Sequence, residues 1–314
     1  MVEDISTTYN SITNMAGTFV IVSMAGILLG AGSIALLMRR STRPLTALAL
    51  TARRIADGEY GIRASVETHD EVGTLADDFN MMAKAMETRI AELTETAERQ
   101  RLFIGGVTHE FKTPLTALLL HTRMLRRANM TEEEKDGSLA HIESQCEWLE
   151  RLVQTLLRII TLDREIERKP CAVDVLFDRV RQNTQKSLAD RGVTLNTLSD
   201  GGTLLVNADL IQSLLINLVD NAAKAYDTGM ENRKVCLTVS GSTIEVSDNG
   251  RGIPKEALPR IFEPFYMVDK SRSKKSGGSG LGLTLVRKIA DAHGAEITVE
   301  SSVGKGTTVR LRFQ

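Results

Sequence analysis

The chain has 314 residues, of which 42% are apolar and 4% aromatic, and its formal net charge is −1. That length suggests about two domains, or more if some are small helical modules, and the balanced charge argues against a global field attracting nucleic acid. Cys146, Cys171 and Cys236 lie far apart without a CxxC pair, which argues against a zinc site or disulfide framework and for reduced thiols in a cytosolic compartment.

Met15 to Met38 contains no charged residue. At about 1.5 Å of rise per residue it is long enough to cross a hydrocarbon core of about 30 Å. Arg39, Arg40 and Arg43 follow it, whereas Glu3 and Asp4 precede it, so the carboxyl side is expected in the cytoplasm. The run is too long, and lacks the basic leader, for a cleaved signal peptide. Gly26 and Gly30 form a small-xxx-small pair, suited to helix pairing or simply common in membrane helices. The stretch 1–14 is too short for a folded external sensor domain. The stimulus is therefore expected through the membrane or a membrane sensor partner, unless the chain is truncated.

Past the membrane, Leu45, Leu48, Ala52 and Ile55 follow 3-4-3 spacing until Asp57-Gly58. A second helix is predicted from Asp70-Glu71-Val72-Gly73, with Val72, Leu75, Phe79, Met82 and Met86 as its stripe. Two such short helices cannot bury their stripes alone, which predicts a parallel bundle with a second subunit. The seam then continues as Ile90, Leu93, Ala97, Gln100, Ile104, Val107 and Phe111. The step from Met86 to Ile90 inserts a stutter, which unwinds a coiled coil locally.

This helix is expected to run to about Arg127, with a kink after Pro114. Asn129 to Gly137 reads as a turn, with Thr131 and Glu134 in a capping-box pattern. The next helix carries Leu139, Ile142, Cys146, Leu149, Val153, Leu156 and Ile160. Such a hairpin is expected to dimerise into an antiparallel four-helix bundle. After Lys169-Pro170 the pattern turns mixed. Strands are predicted at Val235–Val239, Thr243–Ser247, Glu296–Glu300 and Thr307–Phe313, and helices at Asp209–Ala225 and Leu281–Ala292. The expectation is an α+β sandwich with helices on one sheet face.

Four polar motifs punctuate this frame. They are Thr108-His109-Glu110-Phe111-Lys112-Thr113-Pro114, Asn217 to Lys224, Asp248-Asn249-Gly250-Arg251-Gly252, and Gly277 to Leu283. Each alone has an ordinary reading: a surface histidine, a solvated helix face, a common turn, a glycine loop. In sequence they read as a phosphate acceptor followed by an ATP site. No lysine follows the glycines as in a Walker A loop, and no strand feeds them as in a Rossmann fingerprint.

With these motifs in this order, the chain resembles the bacterial two-component sensor histidine kinases. The stretch before His109 resembles a HAMP module, including Pro44 and the Asp70-Glu71-Val72-Gly73 signature. The resemblance implies a transmembrane helix at 15–38, a HAMP module at 39–91, a dimerisation and histidine-phosphotransfer domain at 92–168 and a Bergerat-like GHKL ATP-binding domain at 169–314. It also implies a homodimer, anchored as a single-pass protein of the bacterial inner membrane, that passes phosphate to a response regulator receiver domain. No receiver of its own and no direct contact with nucleic acid are expected. Whether phosphorylation runs within a subunit or across the dimer stays open.

The resemblance assigns roles residue by residue. His109 is the phosphoacceptor and Glu110 its general base, since a carboxylate beside an imidazole can orient the ring and support positive charge. Thr113, one turn on and on the same face, would position water to hydrolyse the partner's phosphoaspartate. Asn221 would bind Mg²⁺ with Asn217 in support, and Lys224 would meet the phosphates of ATP; an amide oxygen is a hard ligand suited to Mg²⁺. Asp248 would accept the adenine amino proton, with Gly250 and Gly252 allowing close approach. Ile261 to Tyr266 matches the F box. A lid with Lys270, Arg272, Lys274 and Lys275 would close on the triphosphate, ending at Gly278, Gly280, Leu281 and Gly282, where helix amides can face phosphate.

Two departures stand out. Ala225 follows Lys224 where the family often has an aromatic residue, which leaves a stacking role for Tyr226 open. Gly106 stands three before His109, where a polar residue is usual. With Gly105 it weakens the helix by about 1 kcal/mol per glycine, either easing bending near His109 or loosening contact with the nucleotide domain. The alternatives are a dedicated phosphatase with weak kinase activity, a GHKL-type ATPase without phosphotransfer, and a membrane scaffold with a degenerate ATP site.

Overall fold

The computed structural model describes residues 3–65, 70–126, 130–162, 166–227, 229–269 and 278–313. The chain divides into two compact units, Met1–Gln100 and Arg101–Gln314.

In the first unit, α1 (Glu3–Ala56) carries the apolar run. Among the described residues it holds the one stretch long and apolar enough to cross a membrane, Tyr9–Ala56, with mean hydropathy up to 2.3 and no buried side chain in its apolar window. A connector leads to α2 (Glu71–Leu125). Asp70 caps α2 by accepting from the Val72 and Gly73 N–H groups at 3.1 and 3.2 Å. The connector is pinned by the Asn80 side chain, which accepts from Ala64 N–H at 2.9 Å and donates to Ala64 C=O at 3.0 Å. The predicted stripe divides here. Small Ala76 and Ala83 are buried along with Leu48 and Ile55, while Leu75, Met82 and Met86 stay exposed.

In the second unit, α2 runs unbroken through Gly105, Gly106 and Pro114 to Leu125. Thr131 then caps α3 (Glu132–Thr161) with both bonds of the capping box: Glu134 N–H to Thr131 Oγ1 at 3.2 Å and Thr131 N–H to Glu134 Oε2 at 2.9 Å. Asn129 lies outside the described residues. Of the seven predicted seam positions on α3 only Leu156 is buried. The buried stripe is Leu152, Leu156 and Ile159, which join the core of the following domain with half-buried Trp148 beside them.

That domain begins with β1 (Lys169–Ala172), α4 (Val173–Asp190), β2 (Thr194–Leu198), β3 (Thr203–Val206) and α5 (Ala208–Ala223). It continues with β4 (Lys234–Ser240), β5 (Thr243–Asp248), α6 (Gly282–His293), β6 (Glu296–Ser302) and β7 (Gly306–Arg312). The five-stranded sheet has the order β2-β4-β5-β7-β6, with β2 parallel to β4 and the other pairs antiparallel. β1 and β3 form a separate antiparallel pair. Alternation sends Val235, Leu237, Ile244, Val246, Val309 and Leu311 to one face. Their layer meets the buried stripes of α4, α5 and α6, giving the expected α+β sandwich. His293 locks the helix layer: its Nε2 accepts from Asn207 N–H at 3.0 Å and its Nδ1 bonds Ile289 C=O at 2.8 Å.

Candidate active site

The cleft lies at one face of α5. Asn207 caps this helix by accepting from Leu210 N–H at 3.1 Å. Burial of Ile211, Leu214, Leu215, Leu218, Val219 and Ala222 turns the opposite stripe outward. That stripe, Asn217, Asn221 and Lys224, lines a cavity of about 720 Å³ together with Asp248, Gly252, Gly278, Gly280 and Gly282. Gly250 and Leu281, also predicted for the site, are buried and do not line the cavity. Lys270 and Arg272, with Lys274, Lys275 and Gly277, lie outside the described residues.

Each polar group of the cleft has a definite environment. Asn217 Nδ2 donates to Ser213 C=O at 2.8 Å, which fixes its rotamer. Burial pushes the Lys224 ammonium toward the neutral form; Asp220 opposes this, and Arg191 and Arg151 reinforce it. Asp248, at the end of β5, accepts from Gly250 N–H at 2.8 Å. Burial raises its carboxyl above the usual range, against the pull of the Gly250 and Thr307 amides. The turn beyond is held by Asn249, whose Oδ1 accepts from Lys234 N–H at 2.9 Å. The Tyr226 hydroxyl reaches the same Oδ1 at 2.8 Å and Lys234 C=O at 2.6 Å. Tyr226 thus lines the cleft with its hydroxyl tied to the base of the Asp248 turn.

Gly280 has a φ of +71°, and a Cβ there would lie 2.7 Å from Phe265 Cα. The Phe265 N–H donates to Gly280 C=O at 3.0 Å. Phe265 itself takes a φ of +62°, a conformation costly for a side chain with a Cβ.

His109 does not line the cleft. Its side chain is 66% exposed on α2, with Nδ1 3.4 Å from Oε1 of the buried Glu110. Thr113 is exposed one turn later. One turn before His109, Gly106 receives the ring of Phe265, while a Cβ at Gly105 would meet nothing within 4 Å. Gly106 therefore permits close contact with Phe265 of the sandwich domain, which speaks against looser contact, one of the two readings its glycine allowed. The sequence reading also missed Trp148, Arg151 and Thr155 of α3 and Arg191, all in the cleft wall. No local signal marks them, because α3 carries two overlapping 3-4 stripes and periodicity favoured the other.

This site stands on a fold with known counterparts. Residues 206–314 match the family model described as histidine kinase-, DNA gyrase B- and HSP90-like ATPase. Residues 99–165 match the His Kinase A phospho-acceptor domain, and residues 36–88 the HAMP domain. The sensor histidine kinase YkoH of Bacillus subtilis is 33% identical over 285 residues, covering 88% of this chain and 60% of that protein. The histidine-protein kinase ArlS of Staphylococcus epidermidis is 28% identical over 316 residues, covering 96% and 66%. Among solved structures, histidine kinase ThkA in complex with the response regulator TrrA aligns with a TM-score of 0.52 at 24% identity, over 72% of this chain and 63% of that one. The chain belongs to the two-component sensor histidine kinases. It spans between 56% and 60% of the length of the first three curated relatives it matches.

Proposed function

We propose that this chain is an ATP-dependent protein-histidine kinase that phosphorylates itself on His109 and passes the phosphoryl group to an aspartate of a response regulator. The observation that carries the reading is the His109–Glu110 pair on a chain that also holds the Asn221–Lys224–Asp248 cleft. With Nδ1 toward the carboxylate, Nε2 is the nitrogen open to attack. The Nε2–P bond forms as the bond from phosphorus to the β,γ-bridging oxygen breaks, ADP leaves, and the Nδ1 proton passes to Glu110. In this reading Asp248 accepts the adenine amino proton and Lys224 meets phosphate. The cleft fits Mg²⁺: Asn221 brings an amide oxygen, and among the described residues no cluster of three His, Cys, Asp or Glu competes as a protein-only metal site. Mg²⁺ when bound would offset phosphate charge, with phosphate and water as its remaining ligands.

His109 outside the cleft implies a movement of the nucleotide domain before transfer. Exposed Leu115, Leu119, Leu139, Val153 and Ile160 on the hairpin support a homodimer. The apolar run of α1, followed by Arg39 and Arg40, supports a single-pass anchor in the bacterial inner membrane with the later domains cytoplasmic. Thr113 beside His109 supports a phosphatase activity toward the same regulator. The division at 15–38, 39–91, 92–168 and 169–314 belongs to this reading. The test is incubation with γ-labelled ATP. An acid-labile, base-stable label that disappears in His109→Gln is the expected result, and ATP consumption without such a label would favour a plain ATPase.

A further inference from the structure

We propose that Arg151, on the helical hairpin and outside all four motifs, is a phosphate-binding cation of the nucleotide cleft, so that the hairpin takes part in holding ATP while the two domains are docked. The inference rests on the reading of the cleft as an ATP site.

Helix α3 is seated firmly on the sandwich. Leu152, Leu156 and Ile159 are 2–8% exposed against it, and Arg158 Nη1 donates to Ser213 Oγ on α5 at 2.8 Å. That seat brings Trp148, Arg151 and Thr155 into the cleft wall with Asn221 and Lys224. Another cation of the wall, Arg233, is committed to backbone: its guanidinium donates to Met230 C=O at 3.0 Å and Arg191 C=O at 2.8 Å. Among the described residues Arg151 has one loose side-chain partner, Glu147 at 3.5 Å, and its side chain is 66% exposed. Arg151 and Arg191 lie close enough to Lys224 for their charges to disfavour its protonated form, with Asp220 as the opposing carboxylate. Three cations converging on one partly buried cleft repel each other, and a polyphosphate relieves that repulsion while gaining charge-assisted hydrogen bonds. A guanidinium suits this task because its planar fork can hold two phosphate oxygens.

Trp148 is the only tryptophan of the chain and lines the same cleft, so its intrinsic fluorescence reports nucleotide without any turnover. The full chain in detergent micelles is titrated with the non-hydrolysable analogue AMPPNP and, separately, with adenosine, and calorimetry supplies an independent Kd. Arg151→Ala is expected to weaken AMPPNP by roughly tenfold and to leave adenosine unchanged, and Arg151→Lys to recover part of the loss. Unchanged AMPPNP affinity in Arg151→Ala overturns the proposal, as does equal weakening of AMPPNP and adenosine, which would mark a change of cleft shape. If the unaltered chain binds neither compound, the ATP reading falls and this inference with it. If it binds AMPPNP normally and only the Arg151 effect is missing, the inference alone falls.

Discussion

The ring of Phe265 occupies the space that a side chain at Gly106 would need. A Cβ on Gly106 would lie 2.7 Å from Phe265 Cε2 and 2.8 Å from Cγ, and Phe103 packs on the same ring with centroids 5.8 Å apart. The Phe265 backbone is in turn bonded to Gly280 in the cleft wall. The contact therefore links the turn before His109 to the edge of the cleft.

Gly106→Ala sets two effects against each other. Helix propensity alone would stabilise α2 by about 1 kcal/mol, and overpacking against Phe265 costs about 1–3 kcal/mol. The clash is expected to win, lowering the melting temperature. Because the contact holds the nucleotide domain beside α2 with His109 outside the cleft, the variant is also expected to autophosphorylate several-fold faster. A raised melting temperature with an unchanged rate would count against the link.

Asp248 carries a carboxyl that burial raises above the usual range, and in its proposed role the ionised form is the stronger acceptor for the adenine amino group. Affinity for ATP should therefore fall on acidification, starting at a higher pH than an ordinary aspartate near 3.9 would give. Asp248→Asn should remove this pH dependence and narrow the preference for ATP over GTP, read from competition binding across pH.

His293 is buried, and desolvation holds its pKa below the ordinary value, outweighing the Ile289 carbonyl. The unfolded chain then binds the proton more readily than the folded one. The contribution of neutral His293 to stability is present above the unfolded pKa, about 6.5, and is lost as pH falls from there toward the depressed folded value. Melting temperature measured between pH 8 and 5 should decline on the acid side. His293→Gln should flatten that decline while lowering stability throughout, since it disturbs the bond to Asn207 N–H.

Thr113→Ala leaves the His109–Glu110 pair intact, so autophosphorylation should persist while dephosphorylation of the phosphorylated regulator is abolished. Separate assays of the two reactions decide this, and an equal loss of both would remove Thr113 from the hydrolytic step.

Deleting four residues around Thr88 would erase the phase step between Met86 and Ile90. If that step lets the bundles on either side of it exchange strain, the deletion should fix activity high or low whatever the stimulus. An unaltered response to signal in membrane vesicles would exclude this role for the stutter.

The sequence by itself determined the elements whose identity rests on local chemistry. The capping box at Thr131 and Glu134 could be read from residue types, because a cap is satisfied within one turn. The strands β4, β5, β6 and β7 were legible from alternation, and α5 and α6 from their 3-4 spacing. Asn217, Asn221, Lys224 and Asp248, which line the cleft, were picked out by the resemblance of their motifs, since taken alone they read as a solvated helix face and a common turn. The short β1, β2 and β3 were not legible, since four or five residues carry too little pattern and gain stability only from partners such as the parallel β4. Nor was α4 foreseen, although its buried stripe runs from Val173 to Leu188. Only the tertiary structure decided which of two stripes on α3 is covered, because both satisfy the helical period and only packing distinguishes them. That choice carried Arg151 and Trp148 into the cleft wall, left His109 outside it and seated Phe265 on Gly106, since each is a contact between segments far apart in the chain.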